Sequence, residues 1–166
     1  MIIRKLTINC IEEFVELCQL IDEESQNMYY ESGERKLFLE GQKIQIDKLI
    51  HDYLSCIWVA IEDNKMIGYL IAIGNSLVRI RHLSSMVIGV LESYSNIGVG
   101  TALLSTLFKW AGEKEIYRIE LTVRIKNERA ICFYKKFGFD VEGIRKNSLY
   151  INSHYEDELY MSKIFL

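Results

Sequence analysis

The chain has 166 residues, 49% apolar and 26% charged, with a formal net charge of -3. That balance fits one globular domain over residues 1–166 and excludes a disordered chain, and no apolar run approaches the ~20 residues that a membrane-crossing helix needs. The mildly acidic total and the lack of a dense Lys/Arg run argue against nucleic-acid binding, and Cys10, Cys18, Cys56, Cys132, His51, His82 and His154 show no metal-ligand spacing.

The first residues, Met1 to Thr7, read as a strand; they lack the long apolar core and cleavage site of a secretory leader, which fits a cytoplasmic chain with reduced, buried or partly buried thiols. Asn9 can cap a helix with Glu12 three residues on, and Ile11, Phe14, Val15, Cys18 and Ile21 follow at helical spacing. A polar loop holds Met28, Tyr29, Tyr30, Glu31, Glu34 and Arg35. A second helical stripe follows through Ile46, Leu49, Ile50, Tyr53 and Leu54.

From Cys56 the period shortens. Cys56 to Ile61 and Met66 to Ile73 read as a hairpin turning at Glu62-Asp63-Asn64-Lys65, and a third extended run covers roughly Arg79 to Val90. A helix with Leu103, Leu104, Leu107, Phe108 and Ala111 on one side follows, then a strand in which Tyr117, Ile119, Leu121 and Val123 alternate with polar residues. Asn127 opens another helix, with Ala130, Phe133, Tyr134 and Phe137 at i, i+3, i+4, i+7 and Gly138 at its end. A closing hairpin turns at Asn152-Ser153. The order β-α-α-β-β-β-α-β-α-β-β predicts an α+β fold, a mixed, mostly antiparallel sheet of about seven strands with about four helices on its faces.

Between the third extended run and the third helix lies Ser95-Asn96-Ile97-Gly98-Val99-Gly100-Thr101. Two glycines at a strand-to-helix turn admit conformations closed to other residues, and the first helical N–H groups attract anionic oxygens, so the segment reads as a phosphate cradle. Leu103 stands where a dinucleotide-binding G-x-G-x-x-G needs its third glycine, and no Gly-Lys-Ser/Thr follows for a P-loop.

The segment S-N-I-G-V-G resembles the Q/R-x-x-G-x-G/A signature of the GNAT superfamily of N-acetyltransferases. Val87-Ile88-Gly89-Val90 is similar to that family's pantetheine-pairing strand, Asn127, Ala130 and Phe133-Tyr134 to its N-x-x-A-x-x-x-Y pattern, and Lys136-Phe137-Gly138-Phe139 with Glu142-Gly143 to the continuation. The resemblance implies direct acetyl transfer from acetyl-CoA to a primary amine acceptor. In that reading the backbone of Asn96 to Thr101, with Ser95, binds the pyrophosphate; Ile88, Gly89 and Val90 hold the pantetheine; and Tyr134 is the general acid toward the departing thiolate. Asn127 then serves as a pantetheine contact, a helix cap, or both. A homodimer is compatible with the resemblance.

The chain departs from the family at Ser95, where Gln or Arg is usual, and at Ser84 and Thr122, where branches of the family carry a glutamate base. Glu120, two residues before Thr122, His82 and a chain of water molecules are the alternatives for the base. Met28, Tyr29 and Tyr30 are the expected acceptor-facing residues, and Asp157 is expected to make a structural hydrogen bond. These departures also leave room for a non-catalytic acyl-CoA-binding or sensing module on the same fold.

Overall fold

The computed structural model describes residues 1–165. Seven strands form one sheet in the order β1-β2-β3-β4-β5-β7-β6. They are β1 (Ile2–Lys5), β2 (Cys56–Glu62), β3 (Lys65–Ile73), β4 (Leu83–Val90), β5 (Arg118–Arg124), β6 (Asp140–Ile151) and β7 (His154–Ile164). All neighbours are antiparallel except β4 and β5. The helices are α1 (Ile11–Glu24), α2 (Leu39–His51), α3 (Val99–Glu113) and α4 (Glu128–Lys136). The α+β architecture and the element order therefore match the expectation.

Two hairpins turn as their residue types dictate. Asp63 and Asn64 both take positive φ, as do Asn152 and Ser153, which is the backbone that matches the right-handed twist of paired strands. Three boundaries differ from the sequence reading. Asn9 lies in a 3-10 turn over Ile8–Cys10, and Cys10 occupies the N-cap of α1 without a side-chain cap bond. Helix α2 ends at His51, leaving Tyr53 exposed under the Lys114 ammonium, 3.1 Å from the ring centroid. Residues 79–82 precede β4 instead of belonging to it.

The sheet is packed on both faces. One cluster joins Trp58, Leu70, Leu103, Leu104, Leu107, Trp110 and Phe139 under α3; the other joins Phe14, Val15, Cys18, Ile21, Val59 and Tyr69 under α1. Gly89, paired with Tyr69 across β3 and β4, has to be glycine, because a Cβ there would stand 2.8 Å from the Tyr69 ring. Cys18 and Cys56 are buried; Cys132 is exposed, contrary to expectation. It lies on α4 among the residues that line the cleft described below.

One irregularity positions everything that follows. The parallel pairing of β4 with β5 runs only over Leu83–Ser85 against Arg118–Glu120. Beyond it, Met86 to Val90 stay bonded to β3 and Leu121 to Arg124 to β7. The two halves of the sheet part, and their facing edges carry backbone N–H and C=O groups without a strand partner.

Candidate active site

The parted strands open a cleft of about 760 Å³. Its walls are Met86 to Val90 from β4, Leu121 to Arg124 from β5, the loop into α3, the inner side of α4, and Ile21 to Tyr29 from the end of α1 and the loop beyond it.

At one end, Asn96 (φ +63°) and Gly98 (φ +95°) take left-handed backbone. Asparagine tolerates this region and glycine is free in it. Gly98 is the N-cap of α3, its carbonyl accepts the Ala102 N–H at 3.0 Å, and no side chain caps the helix. The N–H groups of Val99, Gly100 and Thr101 are thus without intrahelical acceptors. Glu12 and Glu13, Glu40, and Glu128 stand in the first turns of the other helices, whereas α3 has no acid there to neutralise its positive end. Gly100 is closely packed: a Cβ would lie 3.1 Å from Phe133 Cζ, so that ring would have to give way slightly to admit one.

Helix α4 is capped by Asn127, whose Oδ1 accepts the Ala130 N–H at 3.2 Å. The side-chain amide nitrogen of Asn127 is left over, and the residue lines the cleft. About two turns on, Tyr134 is buried between Phe133 and Phe139, with ring centroids 5.6 and 5.7 Å away. Burial pushes its phenol above the ordinary tyrosine value, since the phenolate would lose its hydration. The side chain lines the cleft as a protonated hydroxyl.

At the opposite end a polar network closes the mouth. The Tyr29 hydroxyl donates to Glu158 Oε1 at 3.1 Å and stands 2.8 Å from Thr122 Oγ1. With its only proton given to Glu158, Tyr29 accepts from Thr122. Arg145 Nη1 donates to Glu158 Oε2 at 3.2 Å. Glu158 is only 2% exposed yet lines the cleft, so its charge is held by Tyr29 and Arg145. Next to it, Glu156 takes the Arg124 guanidinium and, at 2.9 Å, the Lys126 ammonium. Those cations hold its carboxyl at about 2, Arg124 foremost.

The cleft gathers Ile88, Gly89, Val90, Ser95, Asn96, Gly98, Val99, Gly100, Thr101, Asn127, Tyr134, Met28 and Tyr29. Ile97 points outward, 60% exposed. Tyr30 turns away and stacks under Arg35, whose Cζ is 4.2 Å from its ring centroid. Arg35 itself is no acceptor contact: its Nε donates to buried Asp22 at 2.6 Å and its Nη1 to Gln42 at 3.1 Å.

Neither carboxylate nor imidazole expected as a base reaches the cleft. The Glu120 side chain accepts from Arg118 Nε at 3.1 Å, in a cluster with Glu142 and Ser162 further back along β5, where that strand still pairs with β4. His82 precedes β4 and is exposed, with its carbonyl bonded to the Tyr117 and Arg118 N–H groups. Ser84 is fully buried and donates to the Ile73 carbonyl at 3.2 Å. Asp157 accepts the Asn147 N–H at 2.8 Å, a structural bond as expected. Glu158, the carboxylate at the Tyr29 mouth of the cleft, escaped the sequence reading. Its signal was the run Glu156, Glu158, Tyr160, Ser162, four polar residues that share one side of a strand.

The "Acetyltransferase (GNAT) family" model matches residues 14–139. The chain is 34% identical over 107 residues to an L-amino acid N-acetyltransferase, AaaT, of Escherichia coli (strain K12), covering 64% of this chain and 66% of that one. It spans less than two thirds of the length of the curated relatives it matches first. The structure is similar to that of a GNAT-family acetyltransferase from Streptococcus pneumoniae, with a TM-score of 0.91, 25% identity and 99% of each chain covered. The fold is shared with yncA of Salmonella typhimurium, solved with its cofactor acetyl-CoA, at a TM-score of 0.80 and 16% identity, covering 99% of this chain and 93% of that one.

Proposed function

The chain belongs to the GNAT acetyltransferase family, and we propose that it transfers an acetyl group from acetyl-CoA directly to a primary amine. The observation that carries this reading is the convergence on one cleft of an uncapped helix N-terminus behind a left-handed loop, an unpaired strand edge and a buried, protonated tyrosine. Each feature suits a different part of one elongated molecule.

The N–H groups at the start of α3, with Asn96 and Gly98 setting the loop, bind the phosphate oxygens. The free edge of β4 at Ile88, Gly89 and Val90 has the spacing to bond the amides of a pantetheine arm, as an added strand would. Asn127, already a cap through Oδ1, offers its amide nitrogen to the same arm. Acetyl-CoA supplies the activated acyl group and a thiol as leaving group. Tyr134 keeps its proton throughout the physiological range and donates to the sulfur as negative charge develops there; a thiol of pKa about 8.5 leaves readily, so the donor accelerates the step without being indispensable.

An alkylammonium of pKa about 10.4 must be deprotonated before it can attack. Glu158, reached through the Tyr29 hydroxyl, is the proton acceptor in this reading, because among the proposed bases it alone lines the cleft. The relay sits at the mouth formed by Met28 and Tyr29, where the acceptor enters.

A screen of purified protein with acetyl-CoA against amino acids, polyamines, peptides and aminoglycosides, read by release of free thiol, tests the reading. Amine-dependent thiol release with a matching acetylated product supports it. Binding of acetyl-CoA with no thiol release on any amine would favour a non-catalytic acyl-CoA sensor.

A further inference from the structure

The signature loop carries Ser95 where the family has a long Gln or Arg, and this serine does not reach toward the loop N–H groups. Its hydroxyl donates instead to Glu92 Oε2, at 3.4 Å. Across the cleft, α4 holds Arg129 so that Nη1 donates to the other oxygen of the same carboxylate, Glu92 Oε1, at 3.2 Å. Both residues line the cleft, and their side chains are 54% and 72% exposed. The Glu92 backbone N–H is meanwhile fixed to Glu24 Oε2 at 2.8 Å, so the turn stays in place whatever its side chain does.

A carboxylate therefore stands over an anion cradle, neutralising a guanidinium that lines the same space. An exposed pair of this kind is weakly held, and a guanidinium fork fits a phosphate at least as well as a carboxylate. We propose that Arg129 is the phosphate-reading cation of this cleft, substituting from α4 for the long side chain missing at position 95, and that Glu92 is a placeholder which a coenzyme A phosphate displaces. The inference rests on the reading of the cleft as a coenzyme A site. The pyrophosphate and the 3′-phosphate share the chemistry that Arg129 recognises.

Calorimetric titration of the protein with coenzyme A and with 3′-dephospho-coenzyme A, without any acceptor or turnover, tests it. Arg129→Gln is expected to weaken coenzyme A binding about tenfold and to make it less salt-dependent, and Arg129→Lys to recover part of the loss. Glu92→Gln is expected to tighten binding several-fold when Arg129 is present and to have no such effect beside Arg129→Gln. A penalty for Arg129→Gln that vanishes with the dephospho compound assigns the contact to the 3′-phosphate; one that persists assigns it to the pyrophosphate. Wild-type affinity in Arg129→Gln, or unchanged affinity in Glu92→Gln, overturns the inference. Failure of the wild-type protein to bind coenzyme A would overturn the reading of the cleft instead. Both side chains are exposed, so unchanged melting temperatures check that the variants are folded.

Discussion

The hydroxyls of Tyr29 and Thr122, 93 positions apart in the chain, lie 2.8 Å from each other at the mouth of the cleft. Thr122 comes from the parted half of β5 and Tyr29 from the loop after α1, so this contact, with the bond from Tyr29 to Glu158 on β7, ties that loop to the sheet. Its continuation to Glu158 makes a short proton path.

Replacing Tyr29 by Phe cuts that path while keeping the ring. Steady-state rates with an acceptor found by the thiol-release screen should fall about 10²-fold in kcat/KM, as should those of Glu158→Gln, with coenzyme A affinity unchanged. The double variant should be little worse than either single one, because both act on one relay. Additive losses would mean that the two residues serve separate purposes.

Tyr134→Phe removes a donor that no described residue satisfies, so the folded protein loses no internal hydrogen bond. Its melting temperature should stay within a few degrees of the parent. Single-turnover rates should drop by roughly 10²-fold, the lower end for a general acid, while acetyl-CoA binding holds. A full rate would take Tyr134 out of the proton transfer.

Two glycines of α3 should respond in opposite directions to alanine. At Gly98, with φ +95°, alanine is strained and should destabilise by about 1–2 kcal/mol. Gly112 lies within the last turn with open space around its Cβ position. Alanine there should stabilise by about 0.5–1 kcal/mol. Urea melts of the two variants measure both.

Acid stability should depend on Glu142 and Glu156. Arg118 and Ser162 hold the Glu142 carboxyl at about 2, and Arg124 with Lys126 does the same for Glu156, against an ordinary value of 4.5. Because the folded state binds these protons less readily than the unfolded one, the stabilisation is complete above about pH 5 and is lost as pH falls toward 2. Thermal melts from pH 6 to 2 should show a shallower decline in Glu142→Gln and Glu156→Gln than in the parent.

Arg35→Ala should be among the most damaging changes outside the core. Asp22 has a side chain only 1% exposed, and burial raises its pKa despite the Arg35 guanidinium. Removing that partner should cost about 3–5 kcal/mol, read as a lowered urea midpoint. Asp22→Asn/Arg35→Met together should restore part of it.

Strands, hairpins and the last two helices were legible because their signals are local: alternation from Arg118 to Arg124, paired turn residues at Asp63-Asn64 and Asn152-Ser153, an Asn cap at position 127. The cradle was legible because glycine is the residue such a backbone needs. The base was not. Two residues apart on a strand share a side, which drew the reading to Glu120 from Thr122, but Arg118, Glu142 and Ser162 claim Glu120 outside the cleft. Glu158 reaches the cleft only because β7 pairs with β5 at Arg124, a register that local pattern does not encode. Tyr30 was misread for the same reason, since it stacks on Arg35, whose partner Asp22 lies on α1.

The three-residue contact between β4 and β5 also acts as a filter. The outer edges at β1 and β6 are open to any extended chain, but the inner edges face each other across a narrow wedge closed at one end. A polypeptide strand with side chains on both sides would meet the opposite wall, whereas a slender amide-bearing arm can slide in and bond to exposed backbone. The protein thereby keeps unpaired peptide groups at its centre without offering them to aggregation.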